Sequence, residues 1–162
     1  MAEAFSLPPI PYEERYFENF KPGTVFEFSE TVGVTEKEII AFAEQYDPQY
    51  FHTDPEAAMD SVFRGLIASG AHTISLTFAL VVRNVIAGKT SFGSPGMDEV
   101  RWLKPLRPGD TLRVRLTILD VVPSSSKKDR GSVKIFVETL NQKNEVMMSY
   151  KGTSIFMKRQ PG

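Results

Sequence analysis

Hydrophobic and polar residues change their spacing twice along this chain, and those changes predict its elements. In "TVFEFSETV", directly after the turn dipeptide Pro22-Gly23, Phe26 and Phe28 alternate with Glu27 and Ser29, which predicts a strand over Thr24–Val32. "TEKEIIAFAEQY" then shifts to helical spacing, with Ile39, Ile40, Phe42 and Ala43 on one face. Thr35 followed by Glu38 forms a capping box at its start, and Pro48 ends it. A short helix is predicted over Asp54–Ser61, capped by Asp54 with Pro55 in its first turn.

The next helix, Ala71 to Ala87 with Gly88 as its stop, is apolar on nearly every side between Ile74 and Ile86. Such a helix is expected to be wrapped by protein. The period then falls to two, in runs at Met97–Leu103, Thr111–Val122, Gly131–Leu140 and Glu145–Phe156. Leu112, Val114, Leu116 and Ile118 alternate with Arg113, Arg115 and Thr117, as half-buried strands do. The turn-rich links Pro123–Gly131 and Asn141–Asn144 predict an antiparallel meander. Helices followed by a run of strands give an α+β class, with an antiparallel sheet curled around one central helix.

Length and composition narrow the picture further. The 162 residues suit one domain, read as 21–160, preceded by an arm over 1–20 that carries Pro8, Pro9, Pro11, Tyr12, Tyr16, Phe17 and Phe20. So aromatic an arm is expected to pack on its own domain or on a partner subunit. A formal net charge of −1 gives no bulk drive toward nucleic acid or an anionic membrane. The longest apolar stretch, Ile74 to Val82, falls well short of the roughly 20 residues a span needs, so no membrane association is expected. With no cysteine, disulfides and thiolate chemistry are excluded. The start of the chain lacks a secretory signal pattern, and a cytoplasmic location is the expectation.

The candidate chemistry sits in "YDPQYFH", where Asp47 and His52, one of only two histidines, lie five positions apart around Pro48. Two readings stand on these residues alone. Asp47 before a proline is a common turn residue and His52 a satisfied loop histidine. Alternatively, a proline-broken loop brings the two side chains together as an acid/base pair, which a continuous helix would hold about 140° apart. Asp54 reads as a cap, His72 as a structural or pocket-lining residue, and no metal-ligand spacing is present.

The stretch "FAEQYDPQYFHTDPEAA…FRGLIASGAHTISL", followed by "GSPGMDEVRWLKPLRPGDTLRV", resembles the MaoC-like dehydratases, the R-specific enoyl-CoA hydratases of hotdog fold. The resemblance runs from about Tyr16 to Met157. It implies a hotdog fold and reversible addition of water to a trans-2-enoyl-CoA, giving an (R)-3-hydroxyacyl-CoA. Asp47 and His52 take the places of the catalytic pair, and Gly70 that of the glycine whose N–H holds the thioester oxygen. Gln49, Tyr50, Ser69, His72 and Trp102 are the pocket candidates. The acyl pocket's depth depends on residues such as Phe63, Leu66 and Phe78. The implied partners are an acyl-CoA substrate, bound near a subunit interface, and a second copy in a homodimer or higher homo-oligomer. No cofactor is implied beyond the coenzyme A that the substrate carries.

The family often has Asn and Pro where this chain has Gln49 and Tyr50, which bears on the loop's shape and on the substrate it admits. Arg64, Lys104, Arg107, Lys127, Lys128 and Arg130 are candidates for the coenzyme A phosphates, or else a solvated charged face. "GSPG" (Gly93–Gly96) reads as a tight entry to the strand after it. Two rivals remain: a hotdog thioesterase, disfavoured because Ile67 to Ala87 holds no carboxylate, and a non-catalytic acyl-CoA-binding subunit.

Overall fold

A computed structural model describes residues 14–86 and 88–160 of the chain. Six strands form one antiparallel framework: β1 (Val25–Glu27), β2 (Val32–Gly33), β3 (Gly96–Trp102), β4 (Thr111–Pro123), β5 (Arg130–Leu140) and β6 (Val146–Met157). Four helices separate β2 from β3: α1 (Glu36–Tyr46), α2 (Tyr50–Thr53), α3 (Pro55–Ala58) and α4 (Gly70–Val81). The α+β class and the sheet-and-central-helix architecture agree with the sequence.

The strands run in the order β1-β4-β5-β6-β3, with β2 also paired to β4. The β4–β5–β6 meander forms as the turn signals predict. Asn141 closes its second hairpin, its side-chain oxygen accepting from Lys143 and Glu145 N–H at 2.9 and 3.0 Å. The run at Met97–Leu103 behaves differently, because β3 does not pair with β4 next in sequence. It crosses to the far edge and pairs with β6. The connection carrying Pro105 and Pro108 makes that crossing, and the outer edge of β3 is left open.

The predicted strand Thr24–Val32 is instead two short ones. Four residues separate Glu27 from Val32, yet only two separate their partners Arg115 and Leu112, so the chain bows outward between them. The bow carries Glu30 to the end of the central helix, where it accepts from Arg83 Nε at 2.8 Å and Asn84 Nδ2 at 2.7 Å. The arm reading divides likewise. Tyr12 and residues 1–11 lie outside the described residues, while Phe17 and Phe20 are buried in the domain's own core.

The alternation in β4 holds as read. Leu112, Val114, Leu116 and Ile118 are at most 1% exposed, and burying each stabilises the fold by about 1.5–3 kcal/mol. They face α4, whose Thr77 hydroxyl meets Thr139 of β5 at 2.8 Å inside an otherwise apolar layer. The central helix departs from expectation in two ways. It turns into a π-helical turn at Val82–Ile86, and Ala87 is outside the described residues. It is also not wrapped on all sides: Ile74, Leu76 and Phe78 are half-buried and Val82 is 38% exposed. One copy of the sheet covers only the face bearing Thr73, Thr77, Leu80 and Val81. Among the described residues, no helix is long and apolar enough to cross a membrane.

Candidate active site

Pro48 builds the site by what it cannot do. It has no N–H for the helical ladder, and it pushes the residue before it out of helical backbone. Asp47 accordingly caps α1 at φ −157°, ψ 69°, its own N–H still bonded to Ala43 O at 2.9 Å. Two residues later the chain winds again into the single turn α2, where His52 N–H reaches Gln49 O at 2.9 Å. His52 therefore stands on a helical turn and not in irregular backbone. The two side chains converge because the break between two helices, not a loop, lies between them.

Their geometry assigns the hydrogens. His52 is 4% exposed, and its Nδ1 lies 2.7 Å from Ile67 O. A carbonyl oxygen only accepts, so Nδ1 carries the hydrogen and Nε2 faces the cavity with its lone pair in the neutral ring. That lone pair is 3.4 Å from Asp47 Oδ2. Two acceptors at this distance need a proton or the O–H groups of a water between them. The Ile67 carbonyl is itself fixed, since Ile67 N–H donates to Phe51 O at 3.1 Å and Ala68 N–H to Leu106 O at 2.8 Å.

Asp47 is held on both oxygens. Ser69 Oγ donates to Oδ2 at 2.7 Å, and Gln49 Nε2 donates to Oδ1 at 2.8 Å. The Ser69 bond chiefly, then the Gln49 bond, hold this carboxyl below the usual aspartate range against the opposing effect of burial. Ser69 also caps α4 by accepting from Ala71 N–H at 3.2 Å. Gly70 is the first residue of α4, where backbone N–H groups lack helical partners and the dipole favours negative charge. Trp102 lies across it, its Nε1 donating to Gly70 O at 3.1 Å. A Cβ at residue 70 would fall 2.7–2.9 Å from the indole, so only glycine fits without moving that ring.

These groups line one cavity of about 560 Å³, together with Phe63, Lys104 and Leu106. Of the pocket candidates, Gln49, Ser69 and Trp102 line it. Tyr50 and His72 do not. Tyr50 points off the solvent side of α2 and is 50% exposed, with its ring edge-on to Phe51. His72 faces α1, stacked on Phe42 with ring centroids 4.4 Å apart, and burial pushes its pKa down.

Asp54 caps α3, accepting from Glu56 and Ala57 N–H at 3.0 Å each. Among the described residues, no three His, Asp or Glu side chains are placed to hold a metal ion. Lys104 reaches the cavity rim and is paired with Glu145, and Arg107 donates to Phe63 O at 2.6 Å. Arg130 is paired with Asp129 and lies over the Phe92 ring, away from this cavity. The glycines of "GSPG", with Phe78, Met97 and Tyr150, line a second cavity of about 360 Å³. The group that sequence reasoning misses is the Ile67 carbonyl, a backbone acceptor with no residue-type signature.

Comparison with known proteins shows the family. The MaoC-like domain matches residues 17–142. The uncharacterised protein YdeM of Bacillus subtilis is 32% identical over 142 residues, covering 88% of this chain and 98% of that one. The crystal structure of a MaoC-like dehydratase from Rhodospirillum rubrum superposes with a TM-score of 0.83 at 38% identity, over 91% of this chain and 99% of that one. The R-hydratase PhaJ1 of Pseudomonas aeruginosa shares the fold, with a TM-score of 0.70 at 23% identity, over 90% and 86% of the two chains. With its sheet, its central helix and a match over most of its length, the chain belongs to the MaoC-like dehydratase family of hotdog fold.

Proposed function

We propose that the protein is a hydratase that adds water reversibly to a trans-2-enoyl-CoA, giving an (R)-3-hydroxyacyl-CoA. The observation that carries this reading is the lone pair of His52 Nε2 facing Asp47 Oδ2 at 3.4 Å beside the N-terminus of α4. A water held between two acceptors presents its oxygen to the substrate double bond. As that oxygen bonds to C3, one of the pair takes a proton and then delivers it to C2, so that H and OH are added overall. Asp47, kept acidic by Ser69 and Gln49, is the weaker proton acceptor, which leaves His52 as the carrier. Negative charge develops on the thioester oxygen as C3 is attacked, and the free N–H of Gly70 is its donor. Coenzyme A enters as part of the substrate, and the chain's own residues carry every proton step.

The working unit in this reading is a homodimer. The free edge of β3, with Trp102 and Leu103 exposed at 54% and 57% beside the catalytic cavity, is the surface a second copy covers. The cysteine-free sequence fits the reducing cytoplasm, where this reading places the enzyme.

The test is incubation with crotonyl-CoA and a panel of longer and branched enoyl-CoAs, following the conjugated thioester absorbance and free thiol together. Absorbance loss without thiol supports hydration. Thiol release supports hydrolysis instead, and coenzyme A binding without either signal leaves a non-catalytic acyl-CoA-binding subunit.

A further inference from the structure

The Ser69 hydroxyl has one hydrogen to give, and its two neighbours decide where it goes. Ala71 N–H donates to Ser69 Oγ at 3.2 Å, which makes the oxygen an acceptor toward the helix. The carboxylate of Asp47 can only accept, so the hydroxyl hydrogen lies toward Oδ2 at 2.7 Å. Ser69 is 1% exposed, leaving water no access to compete for either bond. The oxygen it holds is the one that faces His52 Nε2. On the hydratase reading above, we propose that Ser69 is a positioning residue, relaying the hydrogen-bonding of the α4 N-terminus through its hydroxyl to fix Asp47 Oδ2 as a water acceptor opposite His52.

Without that bond Asp47 keeps one side-chain donor, Gln49, on the wrong oxygen. The Asp47 side chain is 28% exposed, so it then rotates between the cavity and solvent. Few other titratable groups face it. α2 contributes His52, and α1 contributes Tyr46 beside it. α4 turns His72 away, toward Phe42 and Glu38 on α1, and Lys104 at the cavity rim is engaged by Glu145. The Ser69 bond is the largest single influence holding the carboxyl acidic.

Ser69 also caps α4, so the test has to separate capping from positioning. Ser69→Ala loses the cap and the donor together, whereas Ser69→Gly loses the donor while weakening the cap far less. Both variants are expected to lower kcat on crotonyl-CoA by about 10- to 100-fold, the scale of a misplaced catalytic group, with KM little changed. In an Asp47→Asn background the same substitutions add little, because Ser69 acts through the carboxylate. Carbon NMR of the Asp47 carboxyl, which needs no turnover, reads a titration midpoint moved to higher pH in both variants. The proposal is overturned by an unmoved midpoint, by a kcat loss that adds in full to that of Asp47→Asn, or by a loss that follows thermal stability and spares Ser69→Gly. If the wild type turns over no enoyl-CoA, the hydratase reading fails, and the NMR titration still decides whether Ser69 holds Asp47.

Discussion

Gly70→Ala separates what the first residue of α4 does for stability from what it does for chemistry. The new Cβ falls 2.7 Å from Trp102 Cε2, whereas ordinary contact begins near 3.4 Å, so the indole must retreat by about 0.7 Å (3.4 − 2.7). It can do so cheaply, because Trp102 is 54% exposed. The retreat loses the Nε1–Gly70 O hydrogen bond, about 0.5–1.5 kcal/mol. Replacing glycine with alanine in a helix returns up to about 1 kcal/mol, and less than that at a terminus. The two nearly cancel, and a net change within about 1 kcal/mol moves the melting temperature of a chain this long by about 2–4 °C at most.

Activity has no such compensation. Helical Cβ atoms tilt toward the N-terminus, the direction in which the free N–H of residue 70 points. On the hydratase reading proposed above, the methyl group therefore crowds the place where the thioester oxygen must come. Loss of one such donor costs about 10²- to 10³-fold in kcat. Thermal unfolding and crotonyl-CoA kinetics on the same preparation are the assay, with Gly70→Ala/Trp102→Ala as the control that removes the clash. The double variant is expected to remain slow. A Gly70→Ala enzyme within threefold of wild type refutes the donor role, and full recovery in the double variant means that the displaced indole, not the blocked N–H, caused the loss.

Asp47→Asn and His52→Ala are each expected to lower kcat by at least about 100-fold while the protein stays folded, as circular dichroism and turnover together will show. Stability should carry the same signature. The Asp47 carboxyl is more acidic folded than unfolded, so its contribution is fully present above the ordinary aspartate range near 3.9 and is lost as pH falls through the folded value. Urea melts of wild type and Asp47→Asn should therefore differ by a constant amount at pH 6–8 and converge in acid; a gap that widens in acid has the wrong sign. Thr77→Val strands the buried Thr139 hydroxyl and should cost about 1–3 kcal/mol, while Thr77→Val/Thr139→Val is milder than the single change. Sedimentation should show a species of twice the 18.2 kDa chain mass, and a stable monomer at assay concentrations contradicts pairing through β3.

Elements whose signal is local were legible in the sequence. The Thr35–Glu38 box forms, with Thr35 N–H donating to Glu38 at 2.8 Å and Glu38 N–H to Thr35 Oγ1 at 3.2 Å, and the β4 alternation places its leucines and valines inward. The order of the strands was not legible. Nothing in Met97–Leu103 says which edge of the sheet it joins, because that depends on where the β6 edge stands after folding. The split of Thr24–Val32 was hidden for a related reason: Glu30 reads as one more polar position until Arg83 and Asn84 arrive from a distant helix.

The same division runs through the site and explains why two of five pocket candidates were misplaced. Ser69 and Gln49 bond to Asp47 from the starts of α4 and α2, and a cap serine before a helix glycine is a local signal. His72 was suggestive only because it is a histidine near that glycine. In the first turn of α4, residues 70 and 72 are about 200° apart around the axis, so a helix that presents one to the cavity presents the other to α1. Tyr50 and His52 are separated by the same angle on α2. Once α2 is known to be a helical turn, burying His52 toward Ile67 forces Tyr50 outward. The departure from Asn and Pro at positions 49 and 50 therefore divides in two. Gln49 holds the Asp47 carboxylate, and Tyr50 lies on the solvent-facing side of the turn.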